Sequence, residues 1–465
     1  METSEDTTEI LRFRQKDSIE RQMRYILYIL ALTVLSLYFF PFEFTFLPGI
    51  NTKMAMAGIG LAVIAVQLAR GSRKLPDKDF MTISALALAV SIIGFISITF
   101  NGTSDYTYAT YIVSMLVWLS AANVAVTLIR QVNGRADVPL VCDYLIALCV
   151  AQCILALLVD NVPEIRHFVN ATVAGQGFMG KNENRLYGIG CSLDVAGTRF
   201  CTILIMIVYR LTGTLERASA SPDGRHIWSI VWYLAAFQFI SVVGNMIART
   251  TTIGIVLAIV YLLVITRPAS AEMLRRYKRL WAALAAMTAA AAVICIVLYN
   301  SSPVFRTNIR FGFEGFFSLA EKGRWEVHSN DILKNMIVFP DNPRTWLLGN
   351  GYFENPYYYE PYYTGVQWHG YYQNTDIGYL RFIFYFGIFG LAAFMAYFIK
   401  VAMTCMKRFP EGKTLFLMIL LVNFAVWLKV STDIFLVFAL FLCVPWRHDI
   451  QTPPYDTRLS HSPDI

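Results

Sequence analysis

At 465 residues, 56 % hydrophobic, 14 % aromatic and only 15 % charged, with a mean hydropathy of +0.49, the chain falls outside the soluble range and into the membrane class. Its net charge of +7 matches an anionic inner leaflet and acts as an orientation signal rather than a nucleic-acid footprint. The eight cysteines (Cys142, Cys149, Cys153, Cys191, Cys201, Cys295, Cys405 and Cys443) lie in or beside apolar stretches without CxxC or Cys/His spacing, which argues against a disulfide framework or a zinc site.

In chain order, residues 1–24 form a polar segment with Arg12, Arg14, Lys16, Arg21 and Arg24. It is too polar and too long for a signal-peptide n-region, no small-residue cleavage site follows, and it is expected to stay in the cytoplasm. Apolar runs of span length then fall at 25–46, 54–69, 80–100, 110–129, 140–159, 195–215, 227–247, 251–266, 280–299, 377–399, 414–428 and 431–446, which predicts an all-α polytopic membrane protein of about twelve transmembrane helices. Alternating sides puts the clusters Arg70, Arg73, Lys74, Lys78, then Arg275, Arg276, Lys278, Arg279, then Lys407, Arg408, Lys413 with the N-terminus. The positive-inside rule therefore predicts two cytoplasmic termini and two external loops, 160–194 and 300–375. One transmembrane domain, 25–446, includes both loops, and 447–465 is a polar cytoplasmic tail. Irregular backbone at membrane depth must be covered by protein, so the loops are expected to fold onto the bundle and cap a cavity.

The loop 300–375 is the largest polar interruption, lying between the ninth and tenth predicted spans. Lys322 to Phe339 reads as an amphipathic helix, with Ile332, Leu333, Met336 and Ile337 on one face and Arg324, His328 and Asp331 on another. Pro340 to Pro343 stops it. An aromatic field from Trp346 to Tyr372 follows, and its glycines and prolines mark it as loop rather than helix or strand. Such a field suits either an interfacial belt or a carbohydrate groove, in which ring faces stack on sugars and tyrosine hydroxyls, such as those of Tyr372 and Tyr379, bond sugar hydroxyls.

Four arginines, Arg185, Arg249, Arg324 and Arg381, fall at the external rim. A guanidinium fork pairs two phosphate oxygens at once and does so better than lysine in partly dry surroundings; the plainer role for each is interface anchoring. Asp376, His369, His328, Glu354 and Glu360 are candidate bases. Asp376 lies at a loop-to-span junction, where a capped cavity can raise a carboxylate toward ambient pH, and it also suits an N-cap. Lys429 and Asp433, four apart between the last two spans, suit a structural salt bridge. No nucleotide loop, dinucleotide fingerprint, external DxD pair or HExxH occurs, so neither a cofactor nor a metal is expected.

These residues resemble a known family, the O-antigen polymerases and ligases of bacterial surface polysaccharide assembly. The resemblance is carried by Arg185, Leu186, Tyr187, Gly188 through Gly197; by Ala248, Arg249, Thr250, Thr251; by Gly323, Arg324, Trp325 with Leu348, Gly349, Asn350, Gly351; and by Asp376, Ile377, Gly378, Tyr379, Leu380 through Gly390. Where ligases usually place His this chain has Asp376, so it departs toward the polymerases. The resemblance implies a GT-C-like, metal-independent glycosyltransferase of the inner membrane with its active site on the periplasmic side. The substrate would be an oligosaccharide on undecaprenyl diphosphate in the bilayer, and a chain-length regulator protein is a candidate partner; nucleic acid is not. Arg249 and Arg324 would steady the departing diphosphate, Asp376 would deprotonate the acceptor hydroxyl with His369 in reserve, and Arg185 would hold a second diphosphate. Arg381, His328, Tyr372 and Tyr379 complete the expected site. The alternatives are transfer of polymer to lipid A core, or a flippase for lipid-linked sugar, which would need cations lining a path through the spans.

Overall fold

A computed structural model of the chain describes residues 22–71, 77–175, 185–220, 226–267, 270–356, 360–361, 367–368 and 370–445. The fold is all-α apart from two short ribbons. Helices α1 (Gln22–Phe39), α2 (Thr52–Ala69), α3 (Lys78–Asn101), α4 (Tyr111–Asn133), α5 (Val138–Asn161), α7 (Leu193–Ala220), α8 (Ile227–Ile247), α10 (Ala271–Ser301) and α15 (Gly378–Arg408) are long and apolar enough to cross a bilayer. The remaining predicted spans are helices too short for that on their own: α9 (Thr251–Ile265), α16 (Lys413–Val426) and α17 (Phe435–Cys443). This is the build of a multi-pass membrane protein.

One end of the bundle, the loop face, carries the segments that link α5 to α7 and α10 to α15. There α6 (Pro163–Thr172) and a β1–β2 ribbon (Glu43–Phe44 and Leu47–Asn51, antiparallel) lie together, joined by a bridge from Phe44 to Val173. The loop carries four short helices, α11 (Pro303–Gly312), α12 (Glu314–Lys322), α13 (His328–Asn335) and α14 (Pro343–Leu348), and of the helix expected over Lys322 to Phe339 only α13 and the last residue of α12 are helical. Gly323, at φ +69°, ends α12 and lets the chain turn away. The spacing of Arg324, His328 and Asp331 therefore never forms one helical face. The aromatic field also contains a two-stranded ribbon, β3–β4 (Glu360–Pro361 with Gln367–Trp368), where only loop was expected.

The loop is locked to the bundle through a break in α15. Phe386 and Gly387 leave helical geometry, with Gly387 at φ +70°, which frees the carbonyls of Phe384 and Tyr385. Those oxygens accept the amides of Asn350 (2.6 Å) and Gly351 (3.1 Å), and Ser97 on α3 adds its hydroxyl to the Tyr385 oxygen at 2.7 Å. A Cβ on Gly387 would stand 2.1 Å from the Leu347 oxygen, and one on Gly349 would stand 2.5 Å from Tyr385. The Gly-x-Gly turn thus exists to enter the break in the span.

The core is aromatic where α15 meets α4 and α16. Phe382, Phe386, Phe394, Phe398 and Trp427 are each fully buried and meet mostly edge to face, which suits ring quadrupoles. At the opposite end, Asp79 receives both Lys400 and Lys407 at 2.8 Å, and Asp77 pairs with Arg408 at 2.8 Å, tying α3 to the end of α15.

Candidate active site

Three of the four predicted arginines gather at the loop face. Arg249 occupies the three-residue break between α8 and α9, and its side chain points up at the loop helices. Its Nε donates to the Phe311 carbonyl at 2.8 Å, Nη1 reaches the Ser329 hydroxyl at 3.1 Å and Nη2 the Glu314 carboxylate at 2.8 Å. Arg249 and Arg185 both lie against the Phe311 ring, 4.1 and 4.9 Å from its centre. The Leu186 amide, next to Arg185, bonds the Met246 carbonyl at the end of α8, which brings the two arginines together.

Arg381 sits one turn into α15 and is 7 % exposed. Its guanidinium stacks 3.5 Å from the centre of the Phe353 ring and 4.8 Å from that of Tyr371. It donates to the Phe353 carbonyl at 3.0 Å and to the Ser431 hydroxyl at 2.8 Å, and it meets the Asp376 carboxylate at 3.5 Å. Part of the aromatic field therefore dries a buried cation and is neither belt nor open groove. The Asp105 carboxylate steadies this wall by accepting the Phe353 amide at 2.7 Å.

Asp376 does not cap α15; the residue at that position is Ile377, and no side chain caps the helix. The carboxylate is 18 % exposed. Its pKa is pushed up to about 7, first by burial and then by the nearby charge of Asp194, against the pull of Arg381, the Tyr371 hydroxyl and Lys429. Burial likewise raises the Tyr371 phenol. Gln373 (φ 55°) and Asn374 (φ 54°) are left-handed just before Asp376, and Leu193 (φ 55°) just before Asp194. Such backbone costs about 1–2 kcal/mol for a residue like leucine. Both carboxylates are thus delivered by strained turns.

Asp194 and Lys429 belong to this cluster and were not foreseen in it. Lys429 pairs with Asp194 at 3.2 Å and donates to the Thr250 hydroxyl at 2.9 Å, while that hydroxyl also bonds Asp194. The expected Lys429–Asp433 pair does not form, because Asp433 instead accepts the Phe435 amide at the start of α17, at 2.9 Å. The sequence signal for both Asp194 and Lys429 is an ionisable residue at the very edge of an apolar run. Pairwise contacts and neighbouring charges thus link four cations (Arg185, Arg249, Arg381, Lys429) and three carboxylates (Asp194, Glu314, Asp376) along the loop face.

Other predicted residues lie elsewhere. Arg324 is 73 % exposed and pairs with Glu326 at 2.6 Å, away from the cluster, because the turn after Gly323 points it outward. His328 is exposed on top of α13, where its amide faces Glu314 at 3.3 Å. Tyr379 turns toward α16 and donates to the Phe424 carbonyl at 3.0 Å, a packing contact. Tyr372 accepts from Asn350 at 3.0 Å and braces the Gly-x-Gly turn. His369 lies outside the described residues, as do the side chain of Glu360 and most of the tyrosines of the aromatic field.

An apolar groove of about 500 Å³ runs beside the cluster. Only Tyr277 and Leu280 of the 31 residues in α10 are buried, so this helix stands off from α8 and α9 and leaves a slot between them. Phe237, Ile255 and Leu284 line the slot, and Ile309, Phe313 and Phe317 of the loop helices roof it. On α11, Ile309 faces the groove, while Phe311, two positions on, carries Arg185 and Arg249. Comparison of the chain with family models, with curated proteins and with solved structures gave no match.

Proposed function

We propose that this chain is a twelve-span, GT-C-like glycosyltransferase that polymerises oligosaccharide repeat units carried on undecaprenyl diphosphate, at the periplasmic face of a bacterial inner membrane. The observation that carries this reading is the two-faced α11: an arginine pair suited to a diphosphate on one side, and the roof of an apolar slot suited to an isoprenoid chain on the other. A lipid diphosphate has this pairing of parts.

In the reaction, an acceptor sugar hydroxyl gives its proton to Asp376 as its oxygen bonds the anomeric carbon of the donor. The bond from that carbon to the diphosphate oxygen breaks, and the diphosphate leaves with the electron pair. Arg249 and Arg185 meet the charge that develops on the leaving group, so they stabilise the transition state more than the bound substrate. Arg381, held by Phe353, Tyr371 and Ser431, orients Asp376. The chemistry calls on this chain's own side chains throughout. Arg324 has no place in it.

Arg249→Gln is expected to remove long polysaccharide from the cell surface while single repeat units still reach it, whereas Arg324→Gln leaves polymer length unchanged. Gel analysis of surface polysaccharide reads both, and full-length polymer from Arg249→Gln would refute the assignment.

A further inference from the structure

The cations around Phe311 and Asp376 are not the only buried ones at the loop face. In the first turn of α2, Lys53 holds its ammonium 4.4 Å from the centre of the Trp118 ring on α4. On α7, Arg199 lies five residues beyond Asp194, about 7.5 Å further along the helix axis. It is 5 % exposed, and its guanidinium is 5.8 and 5.2 Å from the ring centres of Phe39 and Phe40 at the end of α1. Among the described residues neither cation donates a hydrogen bond or forms an ion pair, and the Arg199 Nε is fully buried.

The carboxylate that both cations feel is Asp433, and one of its oxygens is already engaged by the Phe435 amide. Other titratable groups near Arg199 are the thiols of Cys149 and Cys191 and the Tyr38 phenol, and that phenol donates its own proton to the Leu436 carbonyl at 2.6 Å. Two buried cations thus have one carboxylate near them, and among the described residues neither pairs with it. A ring face replaces only part of a cation's hydration, and a guanidinium brings five donors that need oxygen acceptors. A charge withdrawn from water in this way needs a compensating partner.

We propose that Lys53, Arg199 and Asp433 form a second anion pocket, separate from the Arg185–Arg249 pair, that takes a phosphate-bearing group. Asp433 moderates the repulsion between the two cations until the ligand enters. The pocket is wired to the candidate active site by one short segment. In the loop between α16 and α17, Lys429 meets Asp194, Ser431 meets Arg381 and Asp433 meets this pocket, at alternate positions. A ligand there would hold the segment that orients Arg381. In identifying the ligand with a lipid diphosphate, and not in the pocket itself, the proposal rests on the function proposed above.

The test is native mass spectrometry of the full-length protein in phosphatidylcholine nanodiscs, titrated with farnesyl diphosphate and separately with inorganic pyrophosphate. Wild type is expected to bind two equivalents of farnesyl diphosphate. Arg199→Gln and Lys53→Gln should each lose one, Arg249→Gln should lose the other, and Arg199→Lys, which keeps the charge and checks folding, should retain both. Two equivalents with pyrophosphate as well would assign the pocket to phosphate in general, and two with farnesyl diphosphate alone would assign it to lipid-linked phosphate. One equivalent in wild type, or two remaining in Arg199→Gln, overturns the second pocket and leaves the Arg249 reading standing. Loss in Arg199→Gln with none in Arg249→Gln upholds the pocket and removes the arginine pair as the diphosphate site.

Discussion

Asp376, the proposed base, brings a cost in stability with it. Its carboxyl titrates near 7 when folded, against about 4 for an ordinary aspartate. Between those values the native chain binds more protons than the unfolded one, so this group's contribution lowers stability as pH rises from about 4 to 7. At about 1.4 kcal/mol per pH unit, the cost reaches a few kcal/mol above pH 7. Asp376→Asn removes the titration, so its melting temperature should exceed that of wild type at pH 8 and converge on it near pH 4, while turnover falls about 10²–10⁴-fold. Calorimetry across pH reads the first effect, and a variant melting below wild type at pH 8 would contradict it. For activity the sign is reversed. As the proposed base, Asp376 works only when deprotonated, so wild-type turnover should rise with pH through about 7. Asp194→Asn, which removes a neighbouring negative charge, should move that rise to lower pH.

At the scale of elements, the joint between the Gly-x-Gly turn and the break in α15 positions the site. Asn350 and Gly351 fill the acceptors that Gly387 frees, and Phe353, two residues on, supplies the ring and carbonyl that hold Arg381. Gly387→Ala would place a methyl group against the Leu347 oxygen and force a strained φ, at a cost of about 1–3 kcal/mol. The expected outcome is an inserted protein whose residues 345–356 exchange amide hydrogens faster and whose activity is lost. Unchanged exchange in that stretch would show that the joint does not hold the loop. The glycines of this joint were visible in the sequence as turn signals, but their partner was not, since nothing local indicates that a turn will enter a helix some 35 residues later. Arg324 failed for a related reason. The helical period expected over Lys322 to Phe339 runs through Gly323, and at φ +69° that glycine ends α12 and leaves Arg324 outside any helix.

For the molecule as a whole, the helical membrane build was legible because apolar runs of span length, repeated along a chain with so few charges, fit little besides a bilayer. Each predicted span coincides with a helix, yet α9, α16 and α17 are short, and hydropathy alone does not separate a full crossing from a helix that stops early. The convergence of Arg185, Arg249 and Arg381 could be guessed from their common membrane face. The parts of Asp194 and Lys429 could not, because their pairing joins segments 235 residues apart. The groove was invisible for another reason: α10 is as apolar as its neighbours, and only its standing apart from α8 creates the slot.

If the loop face hands a sugar from one lipid diphosphate to another substrate, as proposed, every transfer must release a diphosphate. Purified protein in nanodiscs, given repeat units on undecaprenyl diphosphate and an excess of chelator, tests it most directly by following polymer length and free undecaprenyl diphosphate together. The expected result is a ladder of products, one undecaprenyl diphosphate released for each new linkage, no effect of the chelator, and neither product with Arg249→Gln or Asp376→Asn. Repeat units that cross the bilayer unchanged, with no linkage formed and no undecaprenyl diphosphate released, would contradict it.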